Sequence, residues 1–537
     1  PIVVTIIMVV GANMLSKKKT LVRYLPSVET LGSATIIATD KTGTITLGKL
    51  EVKEIFGKAP LIQKVAALSC IKESLDPLDQ ALVQSIEEFD SYHQNSKIVE
   101  SIPFDTKLRF AGNIIEEKGV KQVYLKGAYE SLKEKAKGQH CLSFDEKIRE
   151  MSQRGLRVLA FAKGEQKENV QIVGLIGFYD PPKKNVKEAI RLAHNARIRS
   201  LMLTGDHPLT AQAIAQEVGI EHKKVLTGVE IEKMSDHEVI EALKEVSVIA
   251  RILPENKLRI VQLLQKNKEV VAVSGDGVND VPALRAADLG IAMGSGTEAA
   301  QDAAKMVITD NNLQVIVDAV EKGRVIAQNI RKVIYYLLSS SLMEIVLISF
   351  AVILMMPLPL LPIQILWINF VTDGVLDKLF VFTKAEEDVM NRAPKKPEKQ
   401  FFDGIQLFRV LFFGVSMGLS ALWLFSYLNH LYSYRLATTI TFTSVVSIQW
   451  FNGIQAQKEK QPFFLHLKKS FQINPYIYLG ACLGIALQLL AVYVLSPWFH
   501  TEKMALHHWF YPIMFSIIGF LIIELRKWLE RIIFHSA

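Results

Sequence analysis

With 537 residues the chain has room for about three or four units of ordinary size. Half of it is hydrophobic and its mean hydropathy is +0.22, yet 22% is charged, which excludes an evenly mixed soluble protein: the apolar residues must be concentrated. Much of the net charge of +8 lies beside apolar runs, in "APKKPEKQ" and "LRKWLER", which suits orientation of membrane helices and not nucleic acid, while Cys70, Cys141 and Cys482 are too scattered for a disulfide framework or a zinc site.

The first run, "PIVVTIIMVVGANML", has no basic leader and no small-residue cleavage pattern. It holds about a dozen apolar residues where a spanning helix needs about 20. Residues 1–27 therefore read as the second half of a spanning helix with a stalk. Residues 28–51 contain the strand "ATIIATD", ending at Asp40. Residues 52–170 are long enough for an inserted domain, with "GLRVLAFA" as one of its strands. Residues 171–327 alternate strand-like and helical runs, the pattern of a doubly wound α/β domain, with "RSLMLTGD" ending at Asp206 and "EVVAVSGDGVND" carrying Asp276. Residues 328–537 offer six spanning candidates, at 333–355, 360–382, 405–428, 436–456, 475–495 and 509–529. Their connections alternate between rich and poor in Lys and Arg, which sets both ends of the block in the cytoplasm with the soluble region.

In open parallel sheets a ligand sits outside the carboxyl ends of the strands. Three acidic loops at three such ends point to one site. Asp40 in "TDKTGTIT" is then a nucleophile that takes a phosphoryl group as an acyl phosphate. Asp276 and Asp280 in "GDGVND" would hold Mg²⁺ together with Asp40 and Thr42, since that ion takes hard oxygen ligands. Lys257 in "LPENK" supplies a cation to the transferring group. Thr204, Gly205 and Asp206 in "TGD", with the amide of Asn279, donate to or position its oxygens. A phosphatase would carry a second acid two residues after the nucleophile; Thr42 cannot be that base, so the acyl phosphate should persist.

The words "DKTGTIT", "DPPK", "TGD" and "GDGVND" together resemble a P-type ATPase, a cation pump, and "LVRYLPSVETLGS" and "LPIQILWINFVTDG" resemble its calcium-pump branch. The resemblance implies an α/β haloacid-dehalogenase-like (Rossmann-like) phosphorylation domain in two parts, an inserted α+β nucleotide-binding domain, and an all-α transmembrane domain. It implies ATP and Mg²⁺ as cofactors, and an ATP-driven transport reaction. By the same resemblance Phe104 in "IPFDTKLRF" would stack on adenine, with Arg109 where the family usually has Lys. Lys126 and Gly127 in "LKGAYE", Arg157 in "GLRVLA" and Asp79 in "DPLDQAL" would line the nucleotide pocket, together with Thr204, Gly205, Asp206 and Lys257.

Glu344 and Asp373 interrupt apolar segments, where a charged residue costs about 2.5–3.5 kcal/mol and usually faces a pathway or a partner. Asn369, Thr372 and Asp373 fall within about one helical turn, and Gly374 permits unwinding. This hard-oxygen set suits Ca²⁺, with Mn²⁺ the nearest rival, and Glu344, Asn369, Thr372 and Asp373 match the family's ion ligands. Ser341 stands where reticulum-type pumps have Asn, so one full site is expected; Asp377 and Lys378 could form an internal ion pair. The resemblance is to the C-terminal part of a pump, without the actuator "TGES" or the first helices. A missing N-terminal half is then an expected partner, and a remnant that binds ATP but transports nothing is the alternative of another class.

Overall fold

The computed structural model describes residues 2–71, 74, 76–94, 96–105, 108–117, 119–136, 142–385, 389–395, 402–458 and 461–535. The chain divides into two compact units, Lys19–Arg23 with Ala34–Asp318, and Pro1–Lys18 with Tyr24–Ser33 and Ala319–Ala537.

The first unit contains fourteen described strands: β1 (Thr20–Val22), β2 (Ile36–Asp40), β3 (Glu51–Gly57), β4 (Lys97–Ile102), β5 (Phe110–Glu117), β6 (Val120–Gly127), β7 (Arg157–Gln166), β8 (Asn169–Tyr179), β9 (Arg199–Leu203), β10 (Val225–Thr227), β11 (Val248–Ala250), β12 (Val271–Gly275), β13 (Leu289–Met293) and β14 (Met306–Ile308). Eight of them form one sheet in the order β1-β14-β13-β12-β2-β9-β11-β10. All neighbours in it run parallel except β1, which is antiparallel to β14. β12 (VAVSG) and β13 (LGIAM) are buried along their whole length, as strands covered on both faces must be, and so read as continuous apolar runs. β2 lies between β12 and β9, with Thr39 opposite Ser274 and Asp40 opposite Leu203. This register brings the loops after all three strands to one end of the sheet.

The other six strands form an antiparallel sheet in the order β3-β8-β7-β6-β5-β4. Its edge strand β4 (KIVESI) is almost wholly exposed, and its Lys and Glu blunt that edge against further pairing. The insertion therefore takes in β3 and β8, residues 51 to 179; the expected boundary at 170 falls inside β8, which pairs with β3 from Glu51–Tyr179 to Gly57–Gly174.

The second unit is helical. Its principal helices are α1 (Leu313–Ile353), α2 (Gly404–Leu431), α3 (Tyr434–Ala456), α4 (Pro475–Leu489) and α5 (Phe510–His535). Among the described residues four helices are long and apolar enough to cross a membrane: Leu313–Ile353, Gly404–Leu431, Pro475–Val494 and Leu506–Ile533. Residues 360–382 are instead assembled from short pieces, a helix Pro362–Ile368, a wide π-type turn Asn369–Leu376, a turn of helix Asp377–Leu379 and a 3₁₀ turn Phe380–Phe382. Wide turns of this kind recur at functional sites because they free backbone groups from the regular ladder. At Gly418 of α2 a Cβ would stand 2.8 Å from Met343 O of α1, so the two helices meet backbone to backbone where no side chain intervenes.

Candidate active site and ion-binding region

Asp40 leaves β2 at its carboxyl end, and the chain turns at once through Lys41–Ile45, with Thr42 extended and Gly43 at φ +72°. Asp40 Oδ1 accepts from the Lys41 N–H at 2.6 Å and Oδ2 from Lys257 Nζ at 2.6 Å. Lys257 stands in the first turn of the helix Pro254–Lys266, which Pro254 starts by occupying a position whose N–H is not needed. The same ammonium donates to Asp280 Oδ1 at 2.8 Å, and Asp280 Oδ2 accepts the N–H groups of Asp276 and Gly277, each at 3.2 Å. Asp280 thus fixes both the lysine and its own loop. Gly43 packs so closely on Asp276 that an added Cβ would lie 2.5 Å from its Oδ2.

A second set of contacts holds the loops; Lys41, Thr46, Asp180 and Lys183 lie inside the quoted words without having been singled out, and Gly48 and Asn311 lie outside them. Lys41 Nζ lies 2.5 Å from Asp206 Oδ2 and 3.8 Å from Asp180 Oδ2. Asp180 accepts from Thr46 Oγ1 at 2.5 Å and from the Gly48 N–H at 2.8 Å. Lys183 donates to the carbonyls of Gly43 and Asn311. Thr204 Oγ1 accepts the Asp206 N–H at 3.2 Å, so its hydroxyl shapes the turn. Thr42, Gly205 and Asn279 are exposed at their loops.

Burial pushes the Asp40 carboxyl above the usual carboxylate range, with Asp280 adding to the rise and Lys257 opposing it. Burial, then the charges of Asp40 and Asp280, push Asp276 up as well. Burial works against the Lys257 cation, but Asp40 and Asp280 outweigh it and hold the ammonium above its ordinary value. Three carboxylates thus face one lysine, and a divalent cation fits that imbalance. Asp40, Asp276, Asp280 and the oxygens of Thr42 are the residues that would hold Mg²⁺, and both oxygens of Asp40 and of Asp280 accept hydrogen bonds in this structure. Among the described residues no three His, Cys, Asp or Glu side chains gather into a metal site by themselves.

A carboxylate whose pKa is raised by folding binds more protons in the folded than in the unfolded state. Its cost is absent below the unfolded value of 3.8 and complete above the folded one, so stability falls as pH rises through that window. Asp276→Asn should therefore raise the melting temperature at pH 7 in EDTA. The gain is expected to be about 2–4 °C for each kcal/mol relieved, and to shrink toward pH 4. Mg²⁺ should stabilise the native chain and not the variant. Scanning fluorimetry checks both, and a lower melting temperature for the variant at pH 7 would contradict the assignment.

A cleft with about 1500 Å³ of open space lies in the same unit. Of the ten residues expected around a nucleotide, eight line it: Asp79, Phe104, Arg109, Lys126, Gly127, Arg157, Gly205 and Asp206. Thr204 and Lys257 stand by Asp40 instead. Phe104 is 62% exposed and lines the cleft. Lys126 pairs with the buried Asp79 and donates to Cys70 Sγ at 3.4 Å. His207, Arg251 and Tyr129 complete the walls, and Arg251 reaches Glu130 at 3.3 Å. One cleft therefore joins the inserted sheet to the loop that carries Asp206.

In the helical unit Glu344 is buried on α1 and accepts from Gln449 Nε2 of α3 at 2.8 Å. Asn369 opens the π-type turn and is exposed, as is Ser341. Thr372 and Asp373 follow in that turn, and their side chains lie outside the described residues. Asp377 is buried with Lys378 Nζ 3.8 Å away, so the neighbouring pair does form.

The parallel sheet, with Asp40 at the end of β2, fits a haloacid-dehalogenase-like domain, and the family described as haloacid dehalogenase-like hydrolase matches residues 34–288. The family described as cation transporting ATPase, C-terminus, matches residues 357–529. The chain is 34% identical to calcium-transporting ATPase 1 of Lactococcus lactis over 538 residues, which is 90% of this chain and 60% of that protein. It is 32% identical to a calcium-transporting ATPase of Bacillus subtilis (96% and 66%) and 30% identical to calcium-transporting ATPase 1 of Bacillus cereus (98% and 67%). The chain belongs to the P-type cation ATPases, in their calcium-pump-like branch, and is a membrane protein. It spans about 60% to 67% of the length of these relatives.

Proposed function

We propose that the chain carries the phosphorylation and ion-binding machinery of an ATP-driven Ca²⁺ pump. The observation that carries this reading is the Asp40 carboxylate at a strand tip, 2.6 Å from the Lys257 ammonium, in the unit that also holds the cleft lined by Phe104 and Lys126. One oxygen of Asp40 attacks the γ-phosphorus of ATP, the bond from that phosphorus to the β-bridging oxygen breaks, and ADP leaves with the electron pair. Lys257 balances charge on the transferring group, while Thr204, Gly205 and Asn279 orient its oxygens. Mg²⁺ held by Asp40, Asp276, Asp280 and Thr42 would neutralise phosphate charge. Thr42 offers no base, which lets the acyl phosphate outlast the step that makes it.

Phe104 presents its exposed ring to adenine, with Lys126, Arg109 and Arg157 for the phosphates. Stacking of a base on an aromatic ring is worth about 1–3 kcal/mol, so Phe104→Ala should weaken MgATP binding roughly 5- to 150-fold. Titration calorimetry checks this; an unchanged Kd would remove Phe104 from the site.

Glu344, with Asn369, Thr372 and Asp373, is the oxygen set for the transported ion, with Ca²⁺ favoured by the relatives' names and Mn²⁺ served by the same donors. Glu344 lies on one of the four helices long and apolar enough to cross a membrane, and the alternation of Lys and Arg between the connections favours a cytoplasmic phosphorylation unit. The test is ⁴⁵Ca²⁺ binding to the purified chain in excess Mg²⁺. Native protein should bind and Glu344→Gln should not, while MgATP binding stays the same in both; binding undiminished in Glu344→Gln would overturn the ion assignment.

A further inference from the structure

Four helices of the second unit meet at one end in a cluster of cations. Arg331 and Lys332 stand where the apolar part of α1 begins, and Arg409 stands in the second turn of α2. Lys458 follows the last turn of α3, and Arg526 and Lys527 lie in the later part of α5. This is the end whose connections are rich in Lys and Arg. All six cations are buried, and all six line one cavity with about 340 Å³ of open space.

A buried cation is costly unless opposite charge and hydrogen bonds answer it. Among the described residues three carboxylates do so. Asp403 lies 2.7 Å from Arg331 but is shared with Lys395 at 3.5 Å. Glu530 takes Arg409 Nη2 at 2.5 Å and stands 3.5 Å from Arg526 Nε. Glu524 lies 3.8 Å from Lys527, and both its oxygens accept the Phe463 N–H. A clamp between helix ends would be served by matched pairs, whereas this cavity keeps more cations than carboxylates.

The polar atoms of the wall say what would suit it. Arg526 Nε is buried and makes no hydrogen bond. Gln406 and Gln455 donate their N–H groups to the Arg331 and Phe520 carbonyls at 3.0 and 2.8 Å, so each turns an oxygen inward, and both oxygens are buried without a donor. The group that satisfies this wall brings anionic oxygens for the cations and a hydroxyl for the amides. A phosphate with a free hydroxyl has both, and guanidinium forks match its oxygens in pairs. Basic pockets between membrane helices near the bilayer surface suit phospholipid headgroups.

We propose that this cavity is a binding site for a hydroxyl-bearing phosphate anion, held by Arg331, Arg409 and Arg526 with the three lysines around it. Two sources offer that chemistry: the headgroup of phosphatidylglycerol and free inorganic phosphate. Either one would tie the ends of α1, α2, α3 and α5 together and stabilise the helical unit.

All six tryptophans lie between residues 367 and 528, so tryptophan fluorescence follows unfolding of the helical unit alone. The experiment titrates the full chain in dodecyl maltoside with three probes at constant ionic strength. These are dioctanoyl phosphatidylglycerol, sodium phosphate, and dioctanoyl phosphatidylcholine, whose headgroup has neither net charge nor hydroxyl. The Kd follows from the concentration dependence of the melting temperature. Phosphatidylglycerol should raise that temperature and phosphatidylcholine should not. Arg526→Gln and Lys458→Gln should each weaken phosphatidylglycerol roughly tenfold. Lys395→Gln, which removes a cation from the same end but not from the cavity, should bind as the native chain does. A cooperative transition in each variant shows that its helical unit is folded. A shift with sodium phosphate that the same variants weaken identifies the free ion as an occupant, and a shift with phosphatidylglycerol alone identifies the lipid. Equal shifts by both lipids, no shift by any probe, or a native Kd in Arg526→Gln and Lys458→Gln overturns the proposal. So does equal weakening by Lys395→Gln, because screened attraction to a basic surface would then suffice.

Discussion

Lys257→Met is expected to slow transfer of phosphate from ATP to Asp40 by about 10²–10³, the usual loss when a cation or donor aimed at developing charge is removed. It should also destabilise the phosphorylation unit, because Lys257 is the cation that Asp40 and Asp280 share, at 2.6 and 2.8 Å. Its side chain is only 9% exposed, and breaking a buried pair by removing one partner costs about 3–5 kcal/mol. The two losses have separate origins and can be separated. Adding Asp280→Asn removes one of the stranded carboxylates, so the double variant should recover much of the stability and none of the rate. Thermal scanning and quenched-flow labelling measure the two quantities on the same preparations. A double variant that regained the rate would show that Lys257 serves the fold and not the transfer.

Gly43→Ala should be nearly as damaging to the chemistry and much milder to the fold. The backbone at Gly43 is left-handed, which costs a residue with a Cβ about 1–2 kcal/mol. The larger effect is local. The new Cβ would stand 2.5 Å from Asp276 Oδ2, and the loop cannot easily retreat, because Lys183 holds the Gly43 carbonyl. Asp276 must therefore move away from the place where Mg²⁺ would be bound. A displacement of about 1 Å at a reacting centre can cost 10²-fold, and the Mg²⁺ needed for half-maximal labelling should rise with it. Native labelling with a native Mg²⁺ requirement would mean that Asp276 does not hold the metal.

The strand ends were legible because parallel strands covered on both faces are continuous apolar runs, and Asp40, Asp206 and Asp276 each follow one. Composition near Asp40 could also identify what is missing: Thr42 is no base whatever the fold does around it. What the words hide is which residues meet. Lys41 and Asp206 stand 165 positions apart and touch only because β2 and β9 pair in one register. Nothing local marks Asp180 as the acceptor for Thr46 and Gly48. The insertion ends at Tyr179 because β8 pairs back on β3, a long-range fact that a run of apolar residues does not announce.

In the helical unit hydropathy located the long helices and missed how one of them is broken. The segment 360–382 reads as a continuous span, yet it folds as short helical pieces about the π-type turn that contains Asn369, Thr372 and Asp373. Gly374 was the visible hint. No role was assigned to Gln449 and Asn452 from the sequence, and only the packing of α3 on α1 shows that they donate to Glu344 and Ser339.

The most direct measurement is acid-quenched labelling of the purified chain with γ-³²P-ATP and Mg²⁺, followed by peptide mapping. The expected result is a single acid-stable, hydroxylamine-sensitive phosphate on the peptide that contains Asp40, absent from Asp40→Asn. Label on any other residue, or label that persists undiminished in Asp40→Asn, would contradict the account.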